Sequence, residues 1–138
     1  MSLIDDFKKE FRWSASGRTT CRNFWIYQIG TIALATVGFV CAVLIGNAFG
    51  SEDLTIGLAC IVGVGVLILN IVGIFVVIRR LHDMGYSGWW YFAVMFAYGF
   101  ASALENLSPF ASLVAIVIIL ICLSQKSQAG ANKYGLAE

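Results

Sequence analysis

Long apolar runs separated by short polar segments dominate the chain. The runs cover residues 24–46, 54–78, 89–104 and 107–123, and none contains Asp, Glu, Lys, Arg or His. A helix needs about 20 mostly apolar residues to cross the hydrocarbon of a bilayer, and the first two runs exceed that length. The last two are shorter and can cross where the bilayer thins locally. The pattern predicts an all-α, multi-pass membrane protein with four transmembrane helices arranged as two hairpins.

The boundary between the third and fourth runs is a polar turn. If residues 89–123 formed one long segment instead, Glu105 and Asn106 would lie in mid-bilayer at a high cost in free energy. Ser108 can cap a new helix, and Pro109 suits the first helical position because that position needs no backbone N–H. We therefore expect two spans here rather than one.

The basic residues predict the orientation. With four spans, the N-terminus, the loop 79–88 and the tail 124–138 share one side of the membrane. That side then holds every Lys and Arg, and all the charged residues on the opposite side are acidic. The positive-inside rule makes the basic side cytoplasmic, with both termini there. A three-span chain would lose this segregation. The bases are Lys8, Lys9, Arg12, Arg18, Arg22, Arg79, Arg80, Lys126 and Lys133.

Composition agrees with a single membrane domain over residues 1–138. Hydrophobic residues make up 59% of the chain and charged residues 12%, about half the usual share in a soluble protein. Residues 46–48 resemble a signal-peptide cleavage site, but the apolar run before them is too long for a signal peptide. Nucleic-acid binding is not expected, because the bases serve membrane orientation and no recognised motif is present.

The cysteines predict neither a metal site nor a cofactor. They show no C-x-x-C pair and no histidine at metal-ligand spacing. A disulfide between Cys41 and Cys60 is an alternative, but small packing residues are the commoner role. The four are Cys21, Cys41, Cys60 and Cys122.

The N-terminal stretch predicts a short interfacial amphipathic helix over residues 3–13. Ser2 and Asp5 match a capping box, and acidic residues precede basic ones as the helix dipole prefers. A frayed polar tail is the alternative. The helix would place an apolar stripe in the headgroup region, formed by Ile4, Phe7 and Phe11.

Small and polar residues predict how the spans pack. Small residues four positions apart allow close approach of helix backbones. Gln28 and Asn70 are polar residues within spans, and we expect them to bond across helices. The alternative is that they line a pathway. The small stripes are Gly38, Ala42 and Gly46; Thr55, Ala59 and Gly63; and Ala93, Ala97 and Ala101.

The segment RRLHDMGYSGWW, residues 79–90, has the features of a turn between spans. Its arginines suit a helix C-terminus, and its glycines permit a sharp reversal before Ser87 caps the next span. A turn requires neither His82 nor Asp83. Tryptophans at headgroup depth are expected as membrane-interface anchors, namely Trp13, Trp25, Trp89 and Trp90.

Two more polar clusters fall on the same predicted side, GRTTCRNFW (17–25) and GANKYG (130–135). We expect the three clusters to converge. Arg18 or Arg22 should then approach Asp83, and Asn132 or Tyr134 should approach the 79–88 loop. The resulting candidate site comprises Arg18, Arg22, Arg79, Arg80, His82, Asp83, Asn132 and Tyr134.

These clusters resemble domain of unknown function 805, a family of small bacterial inner-membrane proteins. The resemblance rests on three sets of residues: Gly17, Arg18, Arg22, Phe24 and Trp25; nearly all of RRLHDMGYSGWW (79–90); and Gly130, Asn132, Tyr134 and Gly135. It implies four spans in the bacterial inner membrane and no established activity. The chain departs from the family pattern near Cys21, where the resemblance implies another basic residue, and near Asn23, where it implies an acidic residue.

Three functional classes remain. The favoured one is a binding module whose arginines hold an anionic lipid headgroup, a phosphate-bearing ligand or a partner protein, since guanidinium groups suit phosphate. The second is a small oligomeric transporter or channel. A lipid-modifying enzyme using His82 and Asp83 is least favoured, because adjacent helical residues do not face each other. The expected partners are the bilayer, with anionic lipids, and a second copy or another membrane protein. The transporter path would be lined by Gln28, Asn70, Tyr98 and Ser102.

Overall fold

The computed structural model describes residues 2–103 and 110–136. Within these ranges the chain forms five α-helices and no β-strand, so the predicted all-α class is confirmed. Helix α2 packs along α3, and α4 packs along α5. The helices are α1 (Leu3–Glu10), α2 (Cys21–Phe49), α3 (Glu52–Asp83), α4 (Trp90–Ala103) and α5 (Ala111–Leu123).

Helix α1 lies against α2. The predicted capping box is present, with Ser2 accepting from the backbone N–H of Asp5 and the Asp5 carboxylate accepting from that of Ser2. The ring of Phe7 stacks on Tyr27, with 5.3 Å between centroids. The helix ends at Glu10, so the predicted bounds of 3–13 are too long. The Glu10 carbonyl accepts from the Arg79 guanidinium, and this contact holds the chain where the helix stops.

Helices α2 and α3 form a tight hairpin. Gly50 ends α2 in the left-handed conformation with φ of 61°, and Ser51 caps α3 by accepting from the N–H of Leu54. A Cβ at Gly46 would overlap the side chain of Thr55, so the predicted close approach of these helices is confirmed there. Both helices extend beyond the predicted spans 24–46 and 54–78.

Helices α2 and α3 are long and apolar enough to cross a membrane, with 29 and 32 residues. Only 11% of the most apolar stretch of each is buried. Helices α4 and α5 are also apolar but contain 14 and 13 residues, fewer than the roughly 20 of a full crossing. The predicted end of the third span at 104, the predicted start of the fourth at 107 and the predicted turn between them lie outside the described residues.

The predicted loop 79–88 is wrong in its first half. Helix α3 continues through Asp83, because the buried side chains of its last turn are held by contacts to other segments. The chain then reverses at Gly85, whose φ of 86° favours glycine. The Ser87 carbonyl accepts from the N–H of Trp90, the first residue of α4, and the Ser87 hydroxyl accepts from the N–H of Trp89 at 3.5 Å.

The second hairpin is packed more loosely than the first. Ala93 and Ala97 of α4 line one cavity together with Ile118 and Cys122 of α5, and the two helices pack against each other. None of the α4 residues is buried. The hydrophobic core instead lies where α3 ends, among the first turns of α2, the last turns of α3 and the end of α5. Its buried members are Phe24, Tyr27, Val72, Val76, Leu81 and Leu123.

Candidate functional site

Three arginines are buried next to this core. Arg18 is 1% exposed, and Arg79 and Arg80 are 0% exposed. A buried guanidinium is very costly unless an opposite charge and further hydrogen bonds compensate it. We call the group of residues that supplies this compensation the arginine cluster, which comprises Glu10, Arg18, Thr19, Arg79, Arg80 and Asp83.

Arg79 connects the N-terminal segment to α3. Its Nη2 donates to the Glu10 carboxylate at 3.0 Å and to the Glu10 carbonyl at 2.8 Å. Its Nε donates to the Thr19 hydroxyl at 3.1 Å, and Nη1 donates to the Ser14 carbonyl. The Thr19 hydroxyl in turn donates to Glu10 at 2.7 Å. Nη1 also donates to the Arg12 carbonyl at 3.4 Å, so one side chain fixes four positions of the 10–19 segment.

Arg80 connects the end of α5 and the start of the tail to α3. Its Nε donates to the Leu123 carbonyl at 2.8 Å. Its two Nη atoms donate to the Asp83 carboxylate, to the Gln125 carbonyl and to the Ser127 hydroxyl. Arg80 lies in the last turn of α3, as its predicted place at a helix C-terminus requires, and its side chain points into the protein.

Arg18, from the segment before α2, connects that segment to the end of α3 and to the C-terminal tail. Its Nε donates to Asp83 Oδ1 at 2.9 Å, which confirms the expected approach of Arg18 to Asp83. Its Nη atoms donate to the carbonyls of Gly130 at 2.7 Å and Gln128 at 2.6 Å. Asp83 therefore lies between two guanidinium groups, and Ser127 donates a further hydrogen bond to it.

The C-terminal turn packs on His82, as expected. The rings of His82 and Tyr134 are parallel, with 3.7 Å between centroids and 4° between planes. Asn132 donates to the His82 carbonyl at 2.9 Å and accepts from the N–H of Tyr134. Burial lowers the pKa of His82, opposed by the backbone carbonyls of Gly17 and Ala15 and reinforced by Lys133. His82 is therefore neutral at pH 7.

Arg22 does not join the arginine cluster, contrary to expectation. Its side chain is 62% exposed and lies 2.8 Å from the buried carboxylate of Asp6 in α1. Helical geometry explains the separation, because Arg22 sits in the first turn of α2, beyond the extended segment that carries Arg18 inward. Arg22 instead belongs with side chains that reach solvent, which we call the exposed bases: Lys8, Arg22, Lys126 and Lys133.

Glu10 and Thr19 were missed by the sequence reasoning. Glu10 follows two lysines in an amphipathic helix, a context that normally indicates a solvated residue. The available signal was Asn23, where an acid was expected. Asn23 donates to Glu10 Oε1 at 3.3 Å, so a carboxylate does lie beside that position, supplied by α1 instead of α2.

The contacts of the arginine cluster join segments that are distant in the sequence, and so stabilise the fold. The donors of Arg18, Arg79 and Arg80 are directed at protein oxygens, most of them backbone carbonyls. Removing one partner from such a buried ion pair leaves an uncompensated charge, whereas the intact pair holds distant segments together. The geometry thus gives the three buried arginines their partners within the chain.

The tryptophans lie around the same end of the molecule. Trp13, Trp89 and Trp90 are exposed, and Trp13 packs edge-on against Phe75 at 6.4 Å between centroids. Trp25 is half-buried and donates from Nε1 to the Ser124 hydroxyl at 3.2 Å. Three of the four rings are therefore free to contact an environment outside the protein.

Contrary to expectation, the polar residues Gln28 and Asn70 within the apolar helices form no side-chain hydrogen bonds to other helices among the described residues. Asn70 donates to the Val66 carbonyl of its own helix at 2.8 Å. Gln28 has no side-chain hydrogen bond among the described residues. Both line a cavity of about 480 Å³ between the two hairpins, together with Tyr91 and Tyr98. We call this space the inter-hairpin cavity.

The four cysteines are free thiols, with Cys21 half-buried and Cys41, Cys60 and Cys122 exposed. Across residues 2–103 and 110–136, no group of three or more His, Cys, Asp or Glu side chains is placed to hold a metal ion.

Comparison with protein-family models gives one match, over residues 12–136, to the family described as Protein of unknown function (DUF805). Comparisons with curated proteins and with solved structures gave no match. The matched residues include α2 to α5 and the three buried arginines, whereas Glu10 lies before the matched range. Because the match covers nearly the whole chain, the protein belongs to the DUF805 family.

Proposed function

We propose that the chain is a multi-pass protein of the bacterial inner membrane whose cytoplasmic face binds anionic phospholipid headgroups. In this proposal α2 to α5 cross the membrane as two hairpins, with both termini in the cytoplasm. The buried arginines hold the cytoplasmic face together, and the exposed bases contact the lipid. The observation that carries the proposal is the separation of these two sets of bases at one end of the molecule.

The exposed apolar surface supports membrane insertion. A core helix of a soluble protein would be mostly buried, whereas the most apolar stretches of α2 and α3 are only 11% buried. Water would oppose the exposure of so large an apolar surface, and lipid chains would favour it. The three exposed tryptophans at the arginine end suit the headgroup region.

The exposed bases support lipid binding. Each basic residue near an anionic leaflet contributes about 1 kcal/mol of attraction. Arg22 lies at one end of a groove between α1 and α2 that is otherwise apolar and includes Leu3, Ile4 and Ile29. A lipid phosphate can lie at Arg22 while an acyl chain follows the groove.

Labelling of introduced cysteines tests the topology. In a variant lacking native cysteines, Lys126→Cys and Tyr86→Cys should react with a membrane-impermeant maleimide only after cell lysis. Glu52→Cys and Asn106→Cys should react in intact cells. Labelling of Asn106→Cys only after lysis would exclude the second hairpin as a pair of crossings.

Native mass spectrometry tests lipid binding. The variant Lys8→Gln/Arg22→Gln should retain fewer phosphatidylglycerol molecules than the parent, because two charges near the leaflet are lost. The matched control Glu52→Gln/Asp53→Asn changes the same number of charges at the opposite end of α2 and α3. Equal loss of lipid in both variants would contradict a site at the exposed bases.

A small oligomeric transporter or channel is the second candidate. The observation that favours it is the placement of Gln28, Asn70 and Tyr98 on one cavity. Uptake assays with reconstituted vesicles distinguish the two, since lipid binding at the exposed bases requires no solute movement.

A further inference from the structure

The inter-hairpin cavity contains polar groups that the protein leaves unpaired. Among the described residues, the Gln28 amide and the hydroxyls of Tyr91 and Tyr98 have no hydrogen-bond partner. Asn70 uses only its amide nitrogen, toward its own helix. A polar group kept without a partner in an apolar environment costs several kcal/mol. A molecule with complementary polar atoms would remove that cost.

The position of these groups follows from the helices. Gln28 is in the second turn of α2, and Asn70 precedes Arg79 by nine residues, about 14 Å along α3. Tyr91 and Tyr98 project from α4, on the other hairpin. The polar groups therefore come from both hairpins and lie on the membrane side of the arginine cluster.

We infer that the inter-hairpin cavity binds a membrane quinone, with the ring held by Gln28, Asn70 and the two tyrosines and the prenyl tail leaving between the hairpins. This inference rests on the proposed function, because it requires the cavity to lie within the bilayer. Nothing in the family description assigns a ligand there.

The chemistry of the lining selects the headgroup. No Asp, Glu, Lys, Arg or His lines the cavity, so a charged headgroup would lack a counter-charge. The amide groups of Gln28 and Asn70 can donate to carbonyl oxygens, and phenol rings can stack on a planar ring. A quinone carries both features and no charge.

The size and remaining lining fit the same ligand. A volume of about 480 Å³ lies within the usual range of about 300–1,000 Å³ for small-molecule sites. The other lining residues are aliphatic apart from Gly73 and Met95, which suits a prenyl tail. Asn70 and Tyr98 are exposed, so the cavity is accessible from the side without opening the arginine cluster.

The test is a titration of the full chain in lipid nanodiscs with decylubiquinone, followed by tryptophan quenching. Saturable quenching is expected in the parent. The variant Gln28→Leu/Asn70→Leu should bind about tenfold more weakly, because two hydrogen bonds to the ring are lost. The matched control Thr36→Val also removes a polar group from an apolar helix, but Thr36 bonds within α2 and does not line the cavity. It should bind as the parent does.

Three outcomes would overturn the inference. Non-saturable quenching would mean that the quinone only partitions into lipid. An equal effect of Thr36→Val would place binding elsewhere. A saturable change in tryptophan fluorescence on titration with a short-chain diacylglycerol, and none with decylubiquinone, would assign the cavity to a glyceride. The maleimide labelling pattern is independent of all three, so failure of the quinone site is distinguishable from failure of the proposed topology.

Discussion

The arginine cluster and the inter-hairpin cavity differ in whether their polar side chains have hydrogen-bond partners within the chain. In the cluster, three buried guanidinium groups are surrounded by carboxylates, hydroxyls and carbonyls. In the cavity, the Gln28 amide and the Tyr91 and Tyr98 hydroxyls have no partner among the described residues, and Asn70 bonds only within its own helix. The cluster contains groups whose burial is tolerable only when they are paired. The cavity contains neutral groups, which cost less than charges to leave without a protein partner. The difference agrees with our inference that one region maintains the structure and the other binds a ligand.

The largest effect is expected from Asp83→Ala. This change leaves Arg18 and Arg80 buried without their shared carboxylate, and the free energy of unfolding should fall by about 3–5 kcal/mol. Denaturation in mixed micelles, followed by circular dichroism, measures the loss. The control Asp53→Ala removes an exposed acid from the same helix and should change stability by about 1 kcal/mol or less. A similar small change for Asp83→Ala would mean that the cluster contributes little.

A smaller effect is expected from Tyr134→Ala. The change removes the ring stacked on His82, a contact of a kind that contributes about 0.5–1.5 kcal/mol. The same unfolding measurement applies, and limited proteolysis should release the tail more quickly. Leu136→Ala, in the same tail but 78% exposed, is the control and should leave both measurements unchanged. If the two variants behave alike, the tail is not held through its ring.

The next effect concerns pH. Burial lowers the pKa of His82 from its ordinary value of 6.5, so the unfolded chain binds more protons than the folded one as pH falls below that value. The stability contributed by neutral His82 should therefore be present above about pH 6.5 and be lost as pH falls toward the folded pKa. His82 is the only histidine. In His82→Gln, the free energy of unfolding should depend less on pH between about 7.5 and 5.5 than it does in the parent. A pH dependence equal to that of the parent would contradict this assignment.

The smallest effect on folding is expected from Asn70→Leu. Asn70 makes only a bond within its own helix, so the free energy of unfolding without ligand should change by about 0.5 kcal/mol or less. The measurement is the same mixed-micelle denaturation, with Thr36→Val for comparison. A loss comparable to that of Asp83→Ala would show that Asn70 joins helices, and the contrast between the two regions would fail.

The helices were predictable because their signals are local. Apolar runs, the capping box of Ser2 and Asp5, and the small residues around Gly46 each act over a few positions. The convergence of Arg18, Asp83 and Tyr134 was also predictable, since the predicted order of four spans puts the three polar segments on one side. The errors occurred where a distant contact decides the local structure. The end of α1 at Glu10 and the continuation of α3 through Asp83 both depend on buried arginines.

The sequence by itself determined the helical class, the separation of charge from apolar runs and the family. Only the tertiary structure decided which bases are buried and which remain exposed, because the partners of Arg18, Arg79 and Arg80 are largely backbone carbonyls. A carbonyl is present at every residue and leaves no trace in the sequence. For the same reason, the sequence could not distinguish a bond between Asn70 and another helix from a bond within its own helix, and only the packing of the hairpins places its side chain on a cavity.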